Sequence, residues 1–455
     1  MKHLPPELRV PIERDNPAVV RYAQCINCGN CKFTCMDHAG VLGHYDLSKT
    51  GDNAICIYCG QCILECPCFA MNDRLTYPAV EKAIQSPGKV VIASTSPSVR
   101  ASLGEAFGLP AGEFVQGKMV ALLRKLGFDY VLDTNFGADL TVVEEASELV
   151  ERIQKGTAPL PQFTSCCPGW VRFAELFYPE LLPNLSSAKS PIGMQGPTIK
   201  TYFAQKMGID PKAIVNVAIT PCTAKKAEIL RPEMNAAGQY YGDESMRDMD
   251  YVVTARELAQ WAKEAGIDFN ALEASEYDSL MGEASGAGVI FGNTGGVMEA
   301  ALRTAYFNIT GQNPPADLLN YQPVRGLEAV READVDIAGT KLHVAVVYGT
   351  ANVRAFLEDM RQNGKTYHFV EVMACPGGCV GGGGQPKPYA VRGCQPPAER
   401  IKTLYQRDAN MKVRLSHENE EIKALYRDFY GAPMSELAEK MLHTTYSDAS
   451  AELGN

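Results

Sequence analysis

Apolar runs alternate with amphipathic stretches along most of the chain. From Lys89 the segment KVVIAST is a run of apolar residues closed by Ser and Pro, and the stretch from Ser98 to Phe107 has helical spacing, so the pair predicts strand, loop and helix. The same order returns in VNVAITPC before TAKKAEIL, in GVIFGNTGG before VMEAALRTA, and in HVAVVYGTA before NVRAFLEDM. Repetition of this unit predicts α/β layers with largely parallel strands, whose ligand crevice lies beyond the carboxyl ends of the strands. Cys222 falls at such an end. After about Pro396 the pattern turns polar and helical, as in NEEIKALYRDF and MSELAEKMLHTTY, which predicts a terminal helical extension.

At about 150 residues per domain, 455 residues predict roughly three units. They are a cysteine-rich module over 1–80, an α/β domain over 81–396 and the helical extension over 397–455. A hydrophobic share of 46% excludes intrinsic disorder. The net charge of -10, with no run of Lys or Arg, argues against a nucleic-acid partner. No apolar stretch approaches the roughly 18 residues that a membrane span needs. The start, MKHLPPELRVPIERD, lacks a secretory h-region and paired arginines, so a cytoplasmic location is expected. Thiols stay reduced there, and fifteen cysteines then read as metal ligands or catalytic groups rather than disulfides.

Cys25, Cys28, Cys31 and Cys35 have C-x2-C-x2-C-x3-C spacing, and Cys56, Cys59, Cys62 and Cys66 repeat it, closing with Pro67. This is the pattern of two-cluster ferredoxins of bacterial type, small α+β modules in which the fourth cysteine of each run crosses to the other cluster. One [4Fe-4S] cluster is thus assigned to Cys25, Cys28, Cys31 and Cys66, the other to Cys56, Cys59, Cys62 and Cys35. Zinc also takes four cysteines, but its spacing pairs two C-x2-C units and does not duplicate a four-cysteine run. Met36 stands where proline usually follows the fourth cysteine. Cys68 has no partner in the pattern and reads as a buried structural thiol. Two such clusters carry electrons and do little chemistry alone, so the reaction belongs elsewhere.

Three further cysteine loops stand far apart: TSCCPGW over 164–170, TPCTAKKAE over 220–228 and EVMACPGGCVGGGGQP over 371–386. Each follows a plausible strand. Convergence on one crevice supplies four thiolates for another cubane and one spare. Gly377, Gly378 and Gly381 to Gly384 allow the close backbone approach that a bulky cofactor requires.

All three loops resemble the signature motifs of the iron-only, or [FeFe], hydrogenases, and the N-terminal module fits their accessory domain. The resemblance extends over FGADLTVVEEASELVERI, NLSSAKSP, FGNTGGVMEAALRTA and SHENEEIKALYRDF, almost the whole chain. Within the family the sequence is similar to the monomeric clostridial enzymes with two accessory clusters and to the uptake-type hydrogenase II. It implies a catalytic domain of two lobes with mostly parallel sheets around a buried H-cluster, and a small-subunit-like extension.

The resemblance also implies roles. Cys167, Cys222, Cys375 and Cys379 would hold the cubane of the H-cluster, and Cys379 would bridge to a two-iron subsite carrying CO, cyanide and an azadithiolate. Cys166 would stay unligated and pass protons to that subsite. Lys225 would hydrogen-bond a cyanide, Ser96, Pro97 and Ser98 would line the other side, and Phe291 and Met373 would give apolar cover. Glu145, Glu148 and Arg152 sit at i, i+3 and i+7. Spacing alone reads them as a solvated ion-pair stripe; the family reading makes them a proton relay through Ser186.

Three positions depart from the family pattern: Thr220 replaces a methionine, Ala224 a serine and Ile192 a glutamine. Such changes move cluster potentials. The expected activity is interconversion of H2 with protons and electrons, leaning toward H2 oxidation. Ferredoxin or flavodoxin is the expected partner, because no Gly-x-Gly-x-x-Gly element follows a strand, and maturation proteins would install the cofactor. The rival class is a non-catalytic iron-sulfur protein, a sensor or a cluster-assembly relative. Retention of Cys166, Glu145, Glu148 and Lys225 favours the enzyme.

Overall fold

The computed structural model describes residues 8–387 and 398–454. Cys394 and the expected boundary at 396–397 lie outside them. β1 (Val19–Arg21) and β2 (Met71–Asp73) form a small antiparallel ribbon around which the first cysteine runs fold. β3 (Val90–Thr95), β4 (Tyr130–Asp133), β6 (Ile214–Thr220) and β7 (Tyr251–Thr254) form an all-parallel sheet in the order β4-β3-β6-β7. β5 (Gln162–Phe163), β8 (Val330–Ile337), β9 (Thr340–Tyr348) and β10 (Phe369–Met373) form a second sheet in the order β5-β10-β9-β8. There β5, β10 and β9 run parallel, and β8 closes the edge as an antiparallel hairpin that the strand-helix pattern did not announce.

β3 and β6 are buried on both faces, as the continuous apolar runs require. One face packs against Val99, Leu103, Met119, Leu123 and Trp261, the other against Phe136, Leu140, Phe203 and Tyr426. The helix Thr134–Lys155 joins the two sheets: its first half contributes Phe136 and Leu140 to the core beneath the first sheet, and its second half contributes Ala146 and Leu149 to the core beneath the second. Its start is capped by Asp133, whose side chain accepts from the Asn135 N–H at 2.8 Å, and Asp133 also forms a buried ion pair with Arg100 at 2.8 Å.

Two expected elements differ. GVIFGNTGG is no strand: Gly286–Ile290 is a short helix that packs so closely on the helix Thr134–Lys155 that a Cβ on Gly288 would meet the Asn135 carbonyl oxygen at 2.5 Å. A short apolar run is consistent with either element, and here backbone contact selects the helix. The stretch Ser98 to Phe107 is two 3-10 turns, Pro97–Ala101 and Leu103–Phe107. The helix Tyr77–Ile84 crosses the expected module boundary at residue 80, and Tyr77 stacks on Trp261 at 5.7 Å. Beyond 397 the chain is helical, from Ala398–Asn410 to Glu436–Leu442, and Ile422, Leu425, Tyr426 and Tyr430 enter the main core. Among the described residues no helix is long and apolar enough to cross a membrane.

Candidate functional site

The carboxyl ends of β5, β6 and β10 deliver the three cysteine loops to one region between the sheets. Cys167 ends the β5 loop and precedes the helix Pro168–Phe177. The Ala374 N–H, just past β10, donates to the Cys167 sulfur at 3.3 Å, tying two loops together. Burial is the main reason the Cys375 thiol lies well above its ordinary pKa, and the nearby Cys222, Cys167, Cys59 and Cys379 add to it. Burial likewise pushes Cys222 up to about 11, with Cys167 adding and Lys225 opposing. Four buried cysteines that raise one another's pKa make a donor set suited to a polynuclear iron cluster, whose positive irons would deprotonate the coordinating thiols. The donor set therefore fits a cubane.

Backbone strain supports that fit. Gly377 and Gly378 have φ of 72° and 91°, and a Cβ on Gly378 would meet the Thr294 nitrogen at 2.6 Å. The later glycines serve another approach: a Cβ on Gly383 would collide with the Cys59 carbonyl oxygen. The glycine run thus lets the Cys56–Cys62 loop press against the Cys375–Cys379 loop. Gln61 Nε2 donates to the Gly381 carbonyl at 2.9 Å and Thr223 Oγ1 to the Tyr58 carbonyl at 2.7 Å, completing the seam.

Behind the thiols runs a buried polar line. Cys166 is buried, and its thiol is raised by that burial first and by Glu145 next. Glu145, 1% exposed, is pushed up to about 8 by burial, with Glu148 and Glu371 adding. Its carboxyl oxygens make no well-formed hydrogen bond among the described residues, although the Ser186 hydroxyl and the Ser165 N–H face them. Ser186 Oγ donates to Glu148 Oε2 at 2.6 Å, and Arg152 Nη2 donates to Glu148 Oε1 at 2.6 Å. Arg152 also donates to the carbonyls of Pro159, Asn184 and Leu185. These residues are buried, so the solvated-stripe reading of their spacing fails.

The other expected residues surround this line. Ser96, Pro97 and Ser98 follow β3 and are buried, and the Ser98 hydroxyl has no partner among the described residues. Phe291 and Met373 pack with Cys166, Ala138 and Tyr348. Lys225 Nζ donates to the Cys166 carbonyl at 3.1 Å and pairs with Glu228 at 2.8 Å. Thr220 Oγ1 donates to the Cys222 carbonyl at 3.1 Å and accepts the Cys222 N–H at 3.2 Å, so its hydroxyl is committed to the cysteine's own backbone. Ala224 is buried at the start of the helix Lys225–Glu228. Ile192 packs with Ala218, Ile229, Met249 and Val252, a cluster separate from the one containing Cys166.

In the N-terminal region Cys35, Cys56, Cys59 and Cys62 line one cavity, while Cys25, Cys28, Cys31 and Cys66 line a second. Cys68 lines the second as well and is only partly buried, unlike the buried thiol read from its spacing. Burial pushes Cys35 up to about 12, with Cys56 and Cys31 contributing.

Three contributors carry no sequence signal of their own. Glu371 accepts from the Gly295 N–H at 2.6 Å and the Met298 N–H at 2.7 Å, fixing β10 to the start of the helix Gly296–Thr310. Tyr446 donates to the Ser186 carbonyl at 2.6 Å. His443 Nδ1 lies 2.8 Å from Ser187 Oγ and its Nε2 3.1 Å from Glu144 Oε2, while Ala188 and His443 form an antiparallel bridge. The C-terminal tail therefore holds the Ser186–Ser187 segment.

Comparison with known proteins matches residues 89–383 to the family described as iron only hydrogenase large subunit, C-terminal domain, and residues 398–449 to iron hydrogenase small subunit. Iron hydrogenase 1 of Clostridium pasteurianum is 44% identical over 448 residues, covering 95% of this chain and 76% of the relative. The periplasmic [Fe] hydrogenase large subunit of Nitratidesulfovibrio vulgaris is 46% identical over 426 residues, covering 91% and 97%. A solved variant of the apo [FeFe]-hydrogenase from Chlamydomonas reinhardtii superimposes with a TM-score of 0.69 at 38% identity, covering 81% of this chain and 98% of that one.

Proposed function

The chain belongs to the iron-only hydrogenase family, and on that premise we propose how its own residues divide the work. It interconverts H2 with protons and electrons and carries an H-cluster together with iron-sulfur clusters. When bound, the H-cluster supplies an open iron position beside a basic amine, where H2 is split heterolytically.

In our reading Cys167, Cys222, Cys375 and Cys379 hold the cubane, and Cys166 is the free thiol that exchanges protons with the reacting site. Glu145, Ser186 and Glu148 carry those protons toward the surface, and Arg152 orients Glu148. Lys225 supplies positive charge to the cyanide side, while Ser96, Pro97 and Ser98 line the opposite wall and Phe291 and Met373 exclude water. Electrons pass through two accessory [4Fe-4S] clusters held by residues 1–80, a ferredoxin-like module of α+β type. The residues up to 396 form the catalytic domain, and 397–455 form a small-subunit-like extension. The partner is a ferredoxin or flavodoxin, maturation proteins supply the two-iron subsite, and the compartment is the cytoplasm. The direction leans toward H2 oxidation.

The observation that supports this reading best is the buried sequence of titratable groups behind Cys166, because an iron-sulfur carrier has no use for a proton path. Protein matured with the two-iron subsite should turn over H2, show infrared CO and cyanide bands and contain about fourteen irons per chain. About eight irons without those bands would leave only the accessory clusters.

A further inference from the structure

The second N-terminal cavity has five thiols on its walls, Cys25, Cys28, Cys31, Cys66 and Cys68, and a [4Fe-4S] cluster needs four. The fifth is close to a partner: the Cys66 and Cys68 sulfurs lie 3.7 Å apart. That is far beyond a disulfide bond of about 2.05 Å but within contact distance. Cys-Pro-Cys followed by Phe69 at φ 54° turns the chain so that residues 66 and 68 face the same space, although alternate residues separated by one proline need not.

Both sulfurs also have the surroundings of a ligand. The Met71 N–H donates to the Cys66 sulfur at 3.3 Å. The Ile26 and Ala70 N–H groups face the sulfur of Cys68. Hydrogen bonds to sulfur of this kind stabilise a bound thiolate and tune its cluster. The two differ in exposure, since Cys66 is 6% exposed and Cys68 is only partly buried.

We propose that Cys68 is a fifth, interchangeable ligand of the distal cluster, the one placed in this second cavity. The proposal rests on the reading above that Cys25, Cys28, Cys31 and Cys66 hold that cluster. In the exchange one iron–sulfur bond to Cys66 breaks and one to Cys68 forms, and the proton leaving Cys68 is taken up by Cys66. No electron is gained or lost. The cluster therefore exists in two ligation states that differ in solvent exposure and hence in potential.

The test uses the full matured chain in four forms: wild type, Cys66→Ala, Cys68→Ala and the double variant. Each single variant should keep the wild-type iron content, and the double variant should lose up to about four irons per chain. Loss of iron in Cys66→Ala equal to that in the double variant overturns the proposal. Electron paramagnetic resonance of the reduced distal cluster gives a second measure that does not depend on how Cys66→Ala folds. Wild type should give two sets of g values that collapse to one in Cys68→Ala, and an identical single set in both overturns it. A Cys25→Ala variant with unchanged iron and spectra would instead remove the distal cluster reading itself.

Discussion

Ser186 Oγ donates to Glu148 Oε2 at 2.6 Å, although the two residues are 38 positions apart and on different elements. Ser186 is 0% exposed and Glu148 6%. Arg152 holds the other Glu148 oxygen, and a guanidinium does not release protons in a protein. Glu148 is thus oriented from one side, which in the proposed relay leaves its Ser186 side for proton exchange.

Removal of a relay group should separate chemistry from cofactor loading. Cys166→Ala is expected to keep the infrared bands and lower H2 turnover by orders of magnitude, because a methyl group cannot pass a proton. Glu148→Ala should act similarly. Near wild-type turnover in either fully loaded variant would exclude the route through Ser186.

Glu145 makes a prediction about pH. Its folded pKa of about 8 lies above the ordinary 4.5, chiefly because of burial. The folded state therefore binds one proton more than the unfolded state between those values, so stability falls as pH rises from about 4.5 to 8 and levels off above. The whole effect is on the order of 5 kcal/mol. Glu145→Gln should unfold at a higher temperature than wild type by a margin that is small at pH 5 and grows to pH 8. A margin independent of pH would mean that Glu145 is not buried as an acid.

Local patterns were legible in advance and long-range ones were not. KVVIAST and VNVAITPC became strands because β-branched runs fully buried in parallel sheets leave a continuous signature. The cysteine runs are local patterns too: the first three cysteines of each run line one cavity and the fourth lines the other. GVIFGNTGG misled because periodicity over so few residues does not separate a buried strand from a buried helix. The spacing of Glu145 and Glu148 was visible but by itself pointed to a solvated stripe, because their burial depends on Ser186 and on a tail more than 250 residues away. His443 and Tyr446 lie in that tail, and nothing within MLHTTY points to Ser186.

The tail gives the next prediction. Tyr446→Phe removes a hydrogen bond to the Ser186 carbonyl and leaves a buried acceptor with one partner fewer, a loss of about 1 kcal/mol. Turnover should drop severalfold while iron content and infrared bands stay unchanged, because Ser186 is no longer held against Glu148. An effect on stability alone, with turnover intact, would make the tail a purely structural clamp.

The last prediction concerns direction. Thr220 spends its hydroxyl on the backbone of Cys222 and so stiffens the loop of a proposed cubane ligand without offering a donor to the cluster. Ala224, two residues past Cys222, has no hydroxyl and so offers no side-chain donor to a bound cluster either. Hydrogen bonds to cluster ligands stabilise the more negative, reduced state, and their absence lowers the potential. A cubane of lower potential is a stronger reductant and a poorer acceptor of electrons from H2, so this shift alone does not set a bias toward oxidation, and the direction expected here follows the resemblance to uptake-type enzymes. If these two positions set an uptake-type bias, Thr220→Met combined with Ala224→Ser should raise proton-reduction current relative to oxidation current in protein-film voltammetry. An unchanged ratio would exclude these two positions as the source of any bias toward H2 oxidation.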